Sequence, residues 1–240
     1  MPQRRFDQLS DDELFADWND TAKRAYDDAV QLHWNRRMFR TLAAVFRANP
    51  RLQETGGPFW EWVRYNYIAG AGMAIRRELD RDGSVPNLRR MLHEMISRPT
   101  VLSRARYLAR WDPQSEGARQ LANRGFESFG FVQPSTDPAE DHIDPANVAT
   151  DLERLGSQTD AVQSFIEQTI AHRQRSEPDP VTFAEFNETI AVVEAVFKKY
   201  YARITQTTVA QLEPVPQYDT TEVFTFPWLP PGVRLELIDD

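Results

Sequence analysis

The sequence contains no cysteine, and it has only 10 glycines and 4 histidines among its 240 residues. The lack of cysteine excludes disulfide bonds, thiolate metal sites and cysteine nucleophiles. No stretch approaches the roughly 18 consecutive apolar residues of a membrane-spanning helix, and no apolar segment follows the two N-terminal arginines. We therefore expect a cytoplasmic protein with no transmembrane helix, no signal peptide and no membrane partner.

What the sequence does contain is typical of a globular protein, with 41% hydrophobic and 27% charged residues. The net charge of −8 is unevenly distributed. Residues 61–124 hold twelve Lys or Arg against seven Asp or Glu, whereas residues 125–195 hold three against fourteen. The basic part could bind nucleic acid or meet the acidic part, although solvated helix faces are the simplest interpretation of such asymmetry.

Helical periodicity dominates and predicts a mostly α fold. A capping box at Ser10 begins a long first helix, which Asn49-Pro50 ends because the residue before proline is disfavoured in a helix. A second helix is predicted from Pro58 to Leu79, and a shorter third helix from Pro86 to Ile96. The clustered aromatic residues at the start of the second helix cover more than one face, so this helix is either buried on two sides or part of a homodimer interface.

The second half of the chain is predicted to contain an irregular insertion at about 125–145 and a helix from about Asp160 to Gln174. A last long helix begins with a capping box at Thr182. After about residue 208 the pattern changes, and the segments 223–226 and 233–238 resemble the two strands of a hairpin. We therefore expect a helical domain over 1–207 and a Pro-rich C-terminal tail over 208–240.

His172 is the residue that most suggests chemistry, because Ile170-Ala171-His172 ends an amphipathic helix just before a Pro-broken segment. A histidine in this position is either packed in the core or able to act as an acid or base. The histidines do not have the spacing of metal ligands, and the chain has neither a phosphate-binding glycine loop nor a nucleophile elbow. We expect no metal site and no cofactor.

Four segments, taken in order, resemble the abortive-infection branch of the HEPN superfamily. They are the long aromatic-rich first helix, the helix that ends Arg76-Arg77-Glu78-Leu79-Asp80, the segment from Ser84 to Leu92, and Ile170-Ala171-His172 before a long last helix. The resemblance extends over roughly Asp11 to Ile204 and leaves the tail unexplained. It implies an antiparallel helical bundle, a homodimer, and a role in phage defence or in a toxin–antitoxin pair.

The resemblance also implies RNA binding or metal-independent ribonuclease activity, in which an arginine precedes the histidine by a turn or two. His172 matches the catalytic histidine, but Phe165, Ile166 and Glu167 occupy the positions expected to hold the arginine. Arg173 or Arg175 could replace it in the catalytic site, and Arg76 or Arg77 could bind substrate from a neighbouring helix.

Three alternatives to this interpretation remain open, and one of them, a small-molecule or nucleotide sensor, rests only on the name of the superfamily. Arg76, Arg77 and Asp80 could form an ion network that only fixes the end of their helix. The whole chain could be a non-catalytic interaction module that binds a protein partner through its helices and its C-terminal tail.

Overall fold

The computed structural model describes residues 6–82, 85–110, 116–171 and 180–227. These residues form eight α-helices and one small antiparallel sheet of two strands, which confirms the mostly α fold class. The helices are α1 (Asp11–Ala48), α2 (Pro50–Thr55), α3 (Gly57–Leu79), α4 (Leu88–Ser97), α5 (Arg104–Ala109), α6 (Glu116–Glu127), α7 (Pro145–Ile166) and α8 (Phe183–Thr205). The strands are β1 (Phe131–Val132) and β2 (His142–Ile143).

The helix boundaries at α1 and α8 follow the predicted capping boxes. The Ser10 hydroxyl accepts a hydrogen bond from the Glu13 amide at 3.2 Å, and the Glu13 carboxylate accepts one from the Ser10 amide at 2.8 Å. Thr182 and Glu185 form the same reciprocal pair at the start of α8. Asn49 ends α1, and its side chain also caps the short helix α2, which the sequence pattern did not reveal.

Helix α7 begins at Pro145 rather than near Asp160, so the predicted start of this helix was wrong. Asp144 is its N-cap and accepts a hydrogen bond from the Ala146 amide at 2.9 Å, while Pro145 occupies the first turn, where no backbone donor is needed. The predicted irregular insertion at 125–145 had included this Asp-Pro pair. Both residues are as typical of a helix start as of a turn.

The predicted irregular insertion at 125–145 also contains regular structure. Its first three residues belong to α6, and β1 pairs with β2 in register Phe131 to Ile143. A buried ion pair holds this segment to the bundle: Asp141 is fully buried and bonds to Arg104 at 3.0 Å. The Arg104 guanidinium also lies 4.8 Å from the centre of the Phe131 ring.

The core lies where the four long helices α1, α3, α7 and α8 meet. Helix α1 packs on α3 and α8, and α7 packs on α3, α4 and α8. Two hydrogen bonds join buried polar groups in this core: the Trp18 indole N–H donates to Glu94 at 2.9 Å, and Glu94 also accepts from Arg90 at 2.7 Å. Among the residues that the structure describes, no helix is long and apolar enough to cross a bilayer.

The segment after α8 does not form the predicted strand at 223–226, because residues Glu222–Phe224 form a 3₁₀ turn. The Asp219 carboxylate accepts hydrogen bonds from the amide and the hydroxyl of Thr221, which bends the backbone just before that turn. The second predicted strand, 233–238, lies outside the described residues. Leu212, in contrast, is 2% exposed and packs in the core with α1 and α8.

Candidate nucleic-acid interface

The residues that the sequence proposed for catalysis, His172, Arg173 and Arg175, lie outside the described residues. The proposed substrate-binding arginines are described. Arg76 is half-buried, and the Arg77 guanidinium donates to Asp28 at 2.6 Å. Arg77 therefore already has a carboxylate partner, on α1 rather than at Asp80.

The chain just before His172 has an unusual backbone, because α7 continues into a π-helical turn over Glu167–Ala171. Such turns occur frequently at functional sites. Ile166 is fully buried in the core and Phe165 is half-buried, so two of the positions where the resemblance expects an arginine are occupied by packing residues. Glu167 is exposed.

A continuous series of aromatic contacts runs from α8 across α1 to the outer face of α3. We call it the aromatic ladder, and its members in order are Phe183, Phe39, Trp60, Phe46, Phe59 and Trp62. Neighbouring ring centres are 4.9 to 5.9 Å apart. Most pairs are stacked, with the Phe39 and Trp60 planes only 13° apart.

The outer end of the aromatic ladder is open to solvent. Phe59 is 42% exposed and Trp62 is 62% exposed, and Tyr65 extends the same face with 61%. These residues recur every three positions on α3, whereas Val63 and Tyr67, which lie four residues apart, are buried. The aromatic start of α3 is thus buried on one side and exposed on the other within this chain.

Arginines accompany the aromatic ladder along α1. Arg36, Arg40 and Arg47 recur at four and seven residues, which is the spacing of one helix face. Arg40, Arg47 and Arg51 are exposed, and in the part of the chain that the structure describes no carboxylate pairs with any of them. From Arg36 to Arg64 there are six arginines and two glutamates, a local charge of +4 in a chain of net −8.

An open cleft of about 570 Å³ lies beside the aromatic ladder, between the C-terminal half of α1 and the start of α3. We call it the α1–α3 cleft, and its lining residues are Phe39, Ala43, Phe46, Arg47, Leu52, Gln53, Gly57, Trp60 and Phe183. Gly56 allows Phe46 and Leu52 to form one wall of the cleft. A Cβ atom at Gly56 would come within 2.9 Å of the Phe46 ring and 2.6 Å of the Leu52 carbonyl oxygen.

A second cavity, of about 320 Å³, shares Phe183 with the cleft. Its other lining residues include Arg64, whose guanidinium lies 5.6 Å from the centre of the Phe183 ring. Phe165 and Val181 also line it, and these residues lie on the two sides of the segment that contains His172. The aromatic face and the end of α7 are therefore neighbours, whereas Arg77 lies roughly 25 Å from Trp60 along α3.

Two buried titratable side chains, His33 and Glu78, line an inner cavity of about 20 Å³ between α1, α3 and α8. His33 is buried on α1, with Nε2 3.1 Å from the Glu194 carboxylate and Nδ1 3.0 Å from Arg36. Burial lowers the pKa of His33, although the Glu194 carboxylate opposes this effect. If Nδ1 accepts from the Arg36 guanidinium, the ring proton lies on Nε2, which faces the Glu194 carboxylate.

Glu78 lies at another part of the same cavity, 9% exposed, and its carboxyl accepts a hydrogen bond from the Leu88 amide at 3.0 Å. Burial raises the pKa of Glu78 to about 7, and the nearby Asp28 carboxylate acts in the same direction. Within the described ranges, no cluster of three or more His, Asp or Glu side chains could hold a metal ion. These groups have the character of packed core residues that join α1 to α3, α4 and α8.

Comparisons with protein-family models, with curated proteins and with solved structures found no match to this chain. The fold and the surface define a mostly helical protein with an exposed face of aromatic rings and arginines. The sequence interpretation missed this face because its charge count began at Glu61 and so divided the basic stretch. A window from Arg36 to Arg64, with six arginines interleaved with aromatic residues, would have revealed it.

Proposed function

We propose that this protein binds single-stranded RNA through the aromatic ladder and the arginines beside it. The observation that carries the proposal is the outer end of the ladder, where the Trp62 and Phe59 rings are stacked at 5.9 Å and open to solvent in a stretch of charge +4. Exposed aromatic rings stack with unpaired bases, and unpaired arginines neutralise phosphates. A duplex hides its base faces, so unpaired RNA is the better ligand.

The test is the affinity of a fluorescein-labelled single-stranded RNA of mixed sequence, measured by fluorescence anisotropy beside its duplex form. Trp62→Ala should weaken binding of the single strand by about 1–3 kcal/mol, which is the range for one base–aromatic stack. Tyr218→Ala is the matched control, because Tyr218 is 73% exposed but lies on the segment after α8. Equal affinities for the wild type and Trp62→Ala would refute the proposed site.

RNA cleavage is the stronger form of this proposal and depends on His172. The cavity shared by Arg64 and Phe183 is lined by residues from both sides of the His172 segment, which supports testing cleavage on the RNA that the face binds. Purified wild type and His172→Ala should be incubated with transfer RNA in the presence of a chelator. Cleavage by the wild type alone would support a HEPN-like ribonuclease, whereas equal cleavage by both proteins would exclude a role for His172.

The second candidate is a non-catalytic interaction module, and the exposed stripe of Phe59, Trp62 and Tyr65 favours it, since aromatic residues are enriched at protein interfaces. The partner would be a second copy of the chain or another protein held through the C-terminal tail. Sedimentation of the wild type and of Trp62→Glu distinguishes these cases from RNA binding. A wild-type dimer that Trp62→Glu converts to a monomer, with no RNA bound by either protein, would favour the homodimer over the RNA-binding proposal.

A further inference from the structure

The α1–α3 cleft has the size and the wall chemistry of a ligand site. Its volume of about 570 Å³ lies within the range of sites that enclose small organic ligands. Aromatic rings of Phe39, Phe46 and Trp60 form much of its wall, and Phe183 lies at its end. Ala43 contributes only a methyl group and Gly57 no side chain, and nothing lies within 4 Å of the position that a Cβ of Gly57 would occupy.

The rim of the cleft is cationic and polar rather than apolar. The exposed Arg47 uses its Nε to donate to the Ala43 carbonyl at 3.2 Å, which leaves its terminal nitrogens facing no carboxylate among the residues described. Gln53 donates through Nε2 to the Arg47 carbonyl at 2.8 Å, so its side-chain oxygen remains an acceptor. An aromatic slot with a guanidinium at its edge is complementary to a flat ring attached to a phosphate.

We infer that the α1–α3 cleft holds one nucleobase turned out of the bound strand, with Arg47 on the phosphate of the same nucleotide. The inference rests on the proposed RNA binding and assigns a separate site within it. Trp62, at the outer end of the aromatic ladder, is exposed on the surface of α3, whereas the cleft would hold its ligand between α1 and α3. The preferred ligand is therefore a strand with at least one unstacked base, because unstacking a paired base costs a few kcal/mol that an unpaired base does not.

The neighbouring alanines of α1 offer a matched pair of variants. Ala43 lines the cleft, whereas Ala44 is exposed on the helix next to it. Ala43→Leu should fill part of the cleft and weaken binding of single-stranded RNA at least about tenfold, in the range expected for the loss of one base–aromatic contact. Ala44→Leu adds the same side chain with the same effect on helix propensity and should leave the affinity unchanged.

A second measurement, the quenching of tryptophan emission in the wild type, does not depend on the folding of Ala43→Leu. Adenosine 5′-monophosphate should quench tryptophan emission in the wild type and do so less in Trp60→Phe, whereas Trp34→Phe, which alters another groove, should retain the response. Ribose 5-phosphate, which has no base, should not quench. Equal quenching by the two compounds would overturn the base assignment.

The outcomes separate this inference from the proposed function. If Ala43→Leu binds the strand as tightly as the wild type and Trp62→Ala binds it more weakly, the RNA-binding proposal stands and the cleft is not a base site. If the wild type binds no RNA and adenosine monophosphate causes no quenching, both proposals fail. If the wild type self-associates and Ala43→Leu abolishes only that association, the cleft holds a side chain of a second copy and the inference is overturned.

Discussion

Gly56 shows how a single residue can determine the shape of the proposed site. A methyl group at this position would overlap the Leu52 carbonyl oxygen and the Phe46 ring, whereas at Gly57 it would meet nothing within 4 Å. We expect Gly56→Ala to lower the free energy of unfolding by about 1–3 kcal/mol, because the turn between α2 and α3 must move. Gly57→Ala should change it by no more than about 0.5 kcal/mol.

Denaturant titration of both variants measures this difference, and the RNA affinity of Gly56→Ala should fall as well because Phe46 belongs to the aromatic ladder. Similar stabilities for the two variants would mean that the turn adapts at little cost. In that case Phe46 would not depend on Gly56 for its position.

Glu78 gives a prediction on pH. Burial raises the pKa of this carboxyl from 4.5 to about 7, so the folded state holds its proton over a range where the unfolded state has lost it. The stability that Glu78 provides is therefore greatest at low pH and is lost as the pH rises from about 4.5 through 7. Relative to Glu78→Gln, which keeps the neutral shape, the wild type should lose about 3 kcal/mol between pH 4.5 and pH 8.

The measurement is the free energy of unfolding of both proteins across this pH range. Glu188→Gln on the exposed face of α8 serves as the control and should follow the wild type. Parallel curves for the wild type and Glu78→Gln would contradict the assigned burial of the carboxyl.

At the scale of elements, the segment after α8 completes the core. Leu212 is 2% exposed and lines the inner cavity with Leu32, His33 and Phe197, and the nearby Glu213 pairs with Arg37 at 3.0 Å. Leu212→Ala should therefore cost about 2–5 kcal/mol in the free energy of unfolding, as for other buried leucines. Val215→Ala, three residues later and 70% exposed, should cost no more than about 0.5 kcal/mol. A Leu212→Ala cost as small as that of Val215→Ala would show that this segment only rests on the surface.

The helices were predictable from sequence where local signals agreed. The capping boxes at Ser10 and Thr182 each depend on a few neighbouring residues, and the structure contains them as predicted. Asp144-Pro145 carried a signal that fits a turn and a helix start equally, and only the packing of α7 against α3, α4 and α8 decides between them. Ion pairs between residues that are distant in sequence, such as Arg104 with Asp141, cannot be predicted from the local sequence pattern.

The candidate site was less predictable than the fold. Five of the six rings of the aromatic ladder lie between Phe39 and Trp62, but Phe183 is distant in sequence, and the stacking that joins the rings depends on how α1, α3 and α8 pack. The sequence indicated that these aromatic residues covered two faces of a helix. It could not indicate which face the rest of the bundle would cover, because that depends on the packing of α1 and α8.

At the scale of the whole molecule, a chain of net charge −8 must bind a polyanion through a local field rather than through its total charge. We expect the double variant Arg40→Gln/Arg47→Gln to reduce the slope of log affinity against log salt by about 1.4, since each single-strand phosphate contact contributes about 0.7. Anisotropy titrations at several salt concentrations measure this slope.

The double variant Arg119→Gln/Arg124→Gln changes the net charge equally but lies on α6, away from the aromatic ladder. Its salt slope should match that of the wild type. Equal reductions in the two double variants would mean that the total charge, rather than the arginines of α1, governs the interaction.

The burial of Leu212 also has a consequence for the synthesis of the protein on the ribosome. The ribosome adds this residue after the eight described helices have been synthesised. The apolar surfaces of α1, α3 and α8 that Leu212 covers therefore remain exposed to water until then. A nascent chain paused just after α8 would present those walls to chaperones and proteases, as incomplete domains do. Synthesis of the segment that contains Leu212, rather than completion of α8, is therefore the step that closes this part of the core to water.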